Sequence, residues 1–347
     1  MSGNLERRYR RVLRLLPGYY REQWEEDMVA AFLDSWLTGD PEADEYITRA
    51  AGPSRAEIAS VAGLATRLYL GGAGAPRRYF AWGQAIRRAV LAVALVQAVR
   101  GLNGLVLTAW VRHVLGPLPA SPASIVPGTP NGLVPPAVWY LADFAWIAVF
   151  VLLVLRYYRI AQVLAALAIL PGLVWLVEGA VIGAFPKTPI GPWAFWVLVN
   201  LVPVLAMAAF HRDAPPAPRW PWLLALPANY LLVVVPLLAL QGTGNAAWVP
   251  DFPGLCCIVV ALACLAHAPR AWSRPSAGSG VWSLTLVLLA ADAGAYRIFS
   301  IANYLGDPHL MAVSLVELLI LVAAAALVAP DAARTQAAAP APTPQPG

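Results

Sequence analysis

The chain has 347 residues, 59% of them hydrophobic and only 12% charged, with a mean hydropathy of +0.63 and a net charge of +5. An ordinary soluble domain carries about 25% charged residues, so the composition excludes a single water-soluble core and calls for extensive surface in lipid. The positive charge is almost wholly arginine, with Lys187 the single lysine. That skew points to a high-GC genome and gives no reason to expect nucleic-acid binding.

The front of the chain is charged, so no signal peptide is expected there. Leu5, Tyr9, Val12, Leu13 and Leu16 fall on one stripe of a first helix that stops at Pro17. A second helix, about 18–37, repeats the stripe with Trp24, Met28, Phe32 and Trp36, and Gly39-Asp40-Pro41 breaks it. A third opens at Ser54-Arg55-Ala56-Glu57, a capping box, with Ile58, Val61, Ala62, Ala65 and Leu68 as its apolar face. The first helix carries five arginines against Glu6, and the second carries Glu22, Glu25, Glu26, Asp27 and Asp34 against Arg21. Two readings stand. The helices pack antiparallel with complementary charge, or the basic face binds anionic lipid or a protein partner, each arginine contributing about 1 kcal/mol at an anionic membrane. Residues 1–75 are therefore expected to form a cytosolic three-helix domain. Residues 76–88 are expected to be an interfacial amphipathic elbow, in which Arg77, Arg78, Arg87 and Arg88 flank Tyr79, Phe80 and Trp82 and touch lipid headgroups.

The order of a basic helix, Leu-Pro, "YREQWEEDMVAAFLDSW", a Gly-Pro turn and a capped third helix resembles the cytosolic helical domain of the HAAS or permease-prefix type that precedes membrane spans in many bacterial proteins. The whole chain is similar to uncharacterised multi-pass proteins of high-GC bacteria. The resemblance covers about the first 75 residues. It implies a regulatory or partner-docking role for them and nothing about the membrane spans; the chain as a whole is expected in a bacterial plasma membrane.

A spanning helix needs about 20 apolar residues. Eight stretches qualify, near 88–111, 137–155, 160–182, 192–210, 220–240, 252–268, 281–302 and 309–329. The fold class is thus all-α, a polytopic bundle of about eight spans over 88–329. The fifth and sixth are weakened by Pro227, Pro236 and a short apolar run. With the N-terminus inside, 20 of the 24 basic residues fall on the cytoplasmic side, which places both termini in the cytoplasm. The proline-rich tail, 330–347, reads as disordered.

Ionisable side chains inside spans cost about 2.5–3.5 kcal/mol each and seldom face lipid. Six occur here: Arg100, Asp143, Glu178, Asp292, Arg297 and Glu317. On the seventh span Thr285, Asp292, Tyr296, Ser300 and Asn303 share one face within roughly 80°. The charges and Tyr296 are expected to meet in one polar cluster. Either they pair across helices and fix the register of the bundle, or they line a solvated cavity for a small polar solute or proton relay. Cys256, Cys257 and Cys264 read as small hydrophobes. No phosphate loop, nucleophile elbow or zinc motif occurs, so no catalytic residue, metal or cofactor is expected. The sequence favours a non-enzymatic regulatory or accessory membrane protein whose residues 1–75 dock a partner, the alternative being a secondary transporter.

Overall fold

The computed structural model describes residues 3–36, 40, 42, 46, 51–72, 75–111, 133–182, 200–211, 214–215, 217–236, 251–273, 276–301 and 307–337. Among these residues there are helices and connecting turns and no strand. Two compact units are present, residues 1–83 with 211–214, and residues 84–210 with 215–347.

In the first unit, α1 (Gly3–Leu13), α2 (Gly18–Trp36) and α3 (Arg55–Tyr69) bury one core. Leu5, Leu13 and Leu16 are almost fully enclosed, and the Tyr9 and Phe32 rings stack with centroids 3.9 Å apart. Complementary charge also holds α1 to α2. Arg10 pairs with Glu6 at 2.9 Å, Glu25 at 3.3 Å and Glu26 at 2.7 Å. Solvated pairs of this kind add little, so the apolar core does most of the holding. Ser54 and Glu57 close the capping box, with Glu57 N–H on Ser54 Oγ at 3.2 Å and Ser54 N–H on Glu57 Oε2 at 2.5 Å.

The Trp36 indole donates to the same Glu57 carboxylate at 3.2 Å. Burial disfavours the charged form of Glu57, but the Ser54 and Trp36 bonds outweigh it and hold its pKa below the usual range. A depressed folded-state pKa gives stability that is present above the unfolded value, about 4.3, and is lost as pH falls through the folded value. Acidification below about pH 4.3 should therefore destabilise the wild type more than a Glu57→Gln variant. Tertiary circular dichroism followed against pH checks this, and parallel curves for the two proteins would contradict it.

The next helix, α4 (Arg77–Val111), is continuous. Residues 77–88, expected as an interfacial elbow, are the first turns of this helix. Gly83 would be its weak point, but it packs directly on the Leu70 carbonyl, leaving no room for a Cβ. That close approach offsets the poor helix propensity of glycine. Gly71 in the preceding turn has φ +79°, and a Cβ there would lie 2.8 Å from Phe80 Cα. Of the four arginines expected at headgroups, Arg77 and Arg78 are exposed, whereas Arg87 is buried and Arg88 half-buried.

The second unit continues with α5 (Pro136–Val154), α6 (Tyr158–Ile182), α7 (Asn200–Ala209), α8 (Arg219–Asn229), α9 (Phe252–Ser273), α10 (Ala277–Ile301) and α11 (Pro308–Ala337). Six described helices, α4, α5, α6, α9, α10 and α11, are long and apolar enough to cross a membrane. The chain is a multi-pass integral membrane protein. The fourth and fifth expected spans are not such helices as far as they are described. α7 ends in a 3-10 turn at Met207–Ala209, and α8 widens into a π-helical turn at Tyr230–Val234. Pro227 inside α8 supplies no N–H to the helix ladder, which accounts for the irregularity just beyond it. Residues 192–199 and 237–240 of those two spans lie outside the described residues.

Two cores fill this unit. One gathers Leu91, Ala94 and Ala98 of α4 with Trp146, Val149, Phe150 and Leu153 of α5, Ala161 and Ala165 of α6, and Met207. The other packs α9, α10 and α11 through small residues: Cys257, Ala261, Cys264 and Ala268 meet Ala290, Ala293, Leu321 and Ala324. Such stripes let helix backbones approach closely in lipid, and two of the three cysteines serve here as small apolar groups.

The tail is a correction. Disorder was expected from residue 330, yet α11 runs through Pro330 to Ala337. Asp331 is buried and accepts from Ser283 Oγ at 2.7 Å and Ser279 Oγ at 3.2 Å. His267 Nε2 lies 3.1 Å from Ser283 Oγ, and the Trp272 indole donates to the Leu327 carbonyl at 3.0 Å. These bonds tie α9, α10 and α11 together and keep the last turns of α11 ordered. Residues 338–347 are outside the described set.

Candidate functional site

The intramembrane charges form two adjoining ion-paired groups and two separately placed acids. On α4, Arg100 donates to Asp143 Oδ1 of α5 at 2.8 Å. Gly101 makes this possible, because its Cα presses on the Asp143 carbonyl and a side chain there would force α4 and α5 apart. The Tyr296 hydroxyl of α10 bonds the same guanidinium, and Phe252 packs edge-on against the Tyr296 ring at 6.1 Å.

One residue further along α10, Arg297 is only 2% exposed. Its Nη1 donates to both Asp251 oxygens at 2.7 Å and to Ser300 Oγ at 3.3 Å, while Nη2 pairs with Glu317 of α11. Two carboxylates on one guanidinium leave this group with a formal surplus of negative charge. Asp251 is also the cap of α9, accepting the Gly254 N–H at 2.9 Å. Gly254 lets the carboxylates close in, since a Cβ on it would lie 2.7 Å from both Glu317 oxygens. Tyr296 and Arg297 are neighbours on α10, so the two groups adjoin.

Glu178 stands apart. Its two oxygens accept the Leu133 N–H at 2.8 and 2.9 Å, so it fastens the approach to α5 rather than joining the arginines. Glu178 is therefore set apart from the cluster expected of Arg100, Asp143, Glu178, Asp292, Tyr296, Arg297 and Glu317.

Asp292, one turn from Tyr296 on α10, has a different setting. It lines a cavity of about 230 Å³ between the two cores, together with Gln97, Asn200, Asn229, Cys256 and Tyr296. Gln97 Nε2 donates to Asn200 Oδ1 at 3.0 Å, and Asn229 Nδ2 donates to the Ala225 carbonyl at 3.1 Å. Among the described residues no hydrogen bond or ion pair reaches Asp292. Gln97 Oε1 is buried with no protein donor. The cavity thus offers one carboxylate and several amides in an otherwise apolar wall of α4, α9 and α10, a lining suited to a small cation or polar solute. Among the described residues no group of three or more His, Cys, Asp or Glu is placed to hold a metal ion.

Sequence reading missed Asp251, Asn200 and Asn229. Asp251 sits at the edge of a polar stretch rather than inside an apolar run, and its one local signal is its place just ahead of Phe252-Pro253-Gly254, where α9 begins. The two asparagines lie in the segments whose helices turned out irregular. The sequence matches no protein family, no curated protein and no solved structure.

Proposed function

We propose that this chain is a non-enzymatic regulatory or accessory protein of the bacterial plasma membrane, with both termini cytoplasmic, whose N-terminal helical unit docks a protein with an acidic surface. One observation carries the reading. Arg7, Arg11 and Arg14 are all exposed. At 100° per residue Arg7 and Arg11 of α1 and Arg14 of the turn that continues it, whose N–H bonds the Arg10 carbonyl at 3.2 Å, fall within about 60° on one side, away from the buried Leu5, Tyr9 and Leu13 stripe. A basic edge of this kind steers an acidic partner and sets its orientation. The arginine-rich inner loops support the orientation, and the closure of Arg100 and Arg297 into ion pairs supports a structural role for those charges.

The test is a triple reversal, Arg7→Glu, Arg11→Glu and Arg14→Glu, in the full chain. Partner recovery from mild detergent should fall at least tenfold with helix content unchanged. Equal recovery by the reversed protein would remove the docking reading.

A second reading, a permease for a small cation or polar solute, is favoured by Asp292 alone. On that reading Asp292→Asn stops uptake into vesicles while the amount of folded protein stays constant. Uptake that persists in the variant disposes of it.

A further inference from the structure

A larger cavity, about 520 Å³, opens at the end of the second unit where α4 enters the bundle and α5 leaves it. Its polar wall is Gln84, Arg87, Arg88 and Arg156, and its apolar wall includes Leu91, Leu153, Phe210 and Trp222. Three arginines and no carboxylate occur among its described lining residues. The size lies within the range of about 300–1,000 Å³ usual for small-molecule sites.

Each arginine is placed by something specific. Arg87 is buried and donates from Nη1 to the Ala209 carbonyl at 3.3 Å. The Arg88 guanidinium lies 4.6 Å from the centroid of the Trp282 ring, and its buried Nη1 has no protein acceptor. Stacking of this kind fixes the plane of a guanidinium while leaving its donors available.

Arg156 follows α5 and has φ +73°, the one positive φ on a residue other than glycine among those described. Its turn is the helix-ending motif in which Tyr157 N–H reaches the Leu152 carbonyl at 2.9 Å and Arg156 N–H the Leu153 carbonyl at 3.2 Å. Glycine is the usual residue there, and a side chain in that conformation costs on the order of 1 kcal/mol. The strained position is occupied by a side chain that reaches the cavity wall.

Two guanidiniums lining one pocket, with no carboxylate among its described lining residues, call for an anion with several oxygens, and planar forks match a phosphate bidentately. The apolar wall calls for a hydrocarbon attached to it. The geometry points to a single-occupancy site for a phosphate ester, carried by a membrane lipid whose head lies between Arg88 and Arg156 and whose apolar part lies along Leu91, Leu153 and Trp222. This differs from charge attraction spread over an open surface, because it takes one molecule and depends on two named forks.

Native mass spectrometry of the full chain in detergent tests it, with phosphatidylglycerol, phosphatidylcholine or inorganic phosphate added. The expected result is one phosphatidylglycerol retained per chain, with phosphatidylcholine retained at least tenfold less. Arg88→Gln should lower retention about tenfold, the loss of one charge-assisted contact. Arg156→Gly is the sharper variant, because it relaxes the backbone. It should leave thermal stability equal or higher while retention falls by a similar factor, so poor folding cannot account for the loss. Arg159→Gln, outside the cavity, should change nothing. Displacement of the lipid by millimolar inorganic phosphate would show that the phosphate head alone is the ligand, and resistance to it would show that the lipid as a whole is. Equal retention of both lipids, or retention by Arg156→Gly at the wild-type level, would overturn the proposal.

Discussion

Arg297→Leu is expected to remove most of the stability of the second unit. The substitution leaves Asp251 and Glu317 facing each other across the space the guanidinium filled, with Glu317 itself largely enclosed. Breaking a buried ion pair by deleting one partner costs about 3–5 kcal/mol, and here one guanidinium serves two acids. Set against a typical total of about 5–15 kcal/mol, that is enough to make solubilised protein aggregate. Fluorescence-detected size exclusion after mild heating reads the effect. Adding Glu317→Gln in the same chain should restore part of the monodisperse peak, since it removes one of the two facing carboxylate charges. Asp251 must stay, because it also caps α9. A monodisperse, wild-type-like melting profile for Arg297→Leu alone would show that the pairing contributes little.

A second large effect is expected at Gly101. A Cβ added there meets the backbone carbonyl of Asp143, which cannot swing aside as a side chain can. Alanine gains about 1 kcal/mol of helix propensity over glycine, but forcing packed backbones apart costs about 1–3 kcal/mol. It would also pull Arg100 away from Asp143. The net sign should be destabilising. Gly104, one turn on, is the control. A Cβ there meets only Phe144 Cε1 at 3.9 Å, an ordinary contact, so Gly104→Ala should be neutral or stabilising. Detergent melting of the two variants side by side checks the pair, and Gly101→Ala melting at or above Gly104→Ala would contradict the close approach.

What could be read beforehand follows the range of the interactions. The capping box at Ser54 and Glu57 spans three residues, so its chemistry is visible in the sequence. The Arg10 pairs with Glu25 and Glu26 follow from opposite charge on consecutive helices. The partners of Arg100 and Arg297 depend on which helices touch, which hydropathy does not encode. Four acids stood as equal candidates, and a fifth, Asp251, lay hidden at the edge of a polar stretch. Asp331 shows the converse. Its surroundings are alanine- and proline-rich and read as tail, yet Ser279 and Ser283 on another helix hold it. The irregular α8 was foreshadowed by Pro227. The cavity behind Arg88 and Trp282 was not, because those residues are far apart in the chain and meet only in the folded bundle.

The docking claim is tested most directly by purifying three forms from mild detergent and identifying what co-purifies. These are the full-length chain, the 76–347 chain and the Arg7, Arg11, Arg14 reversal. The account predicts one acidic-surfaced partner recovered with the full-length chain and lost from both altered forms, all three remaining monodisperse. Recovery of the same partner with 76–347 would contradict it and move the function into the membrane-spanning helices.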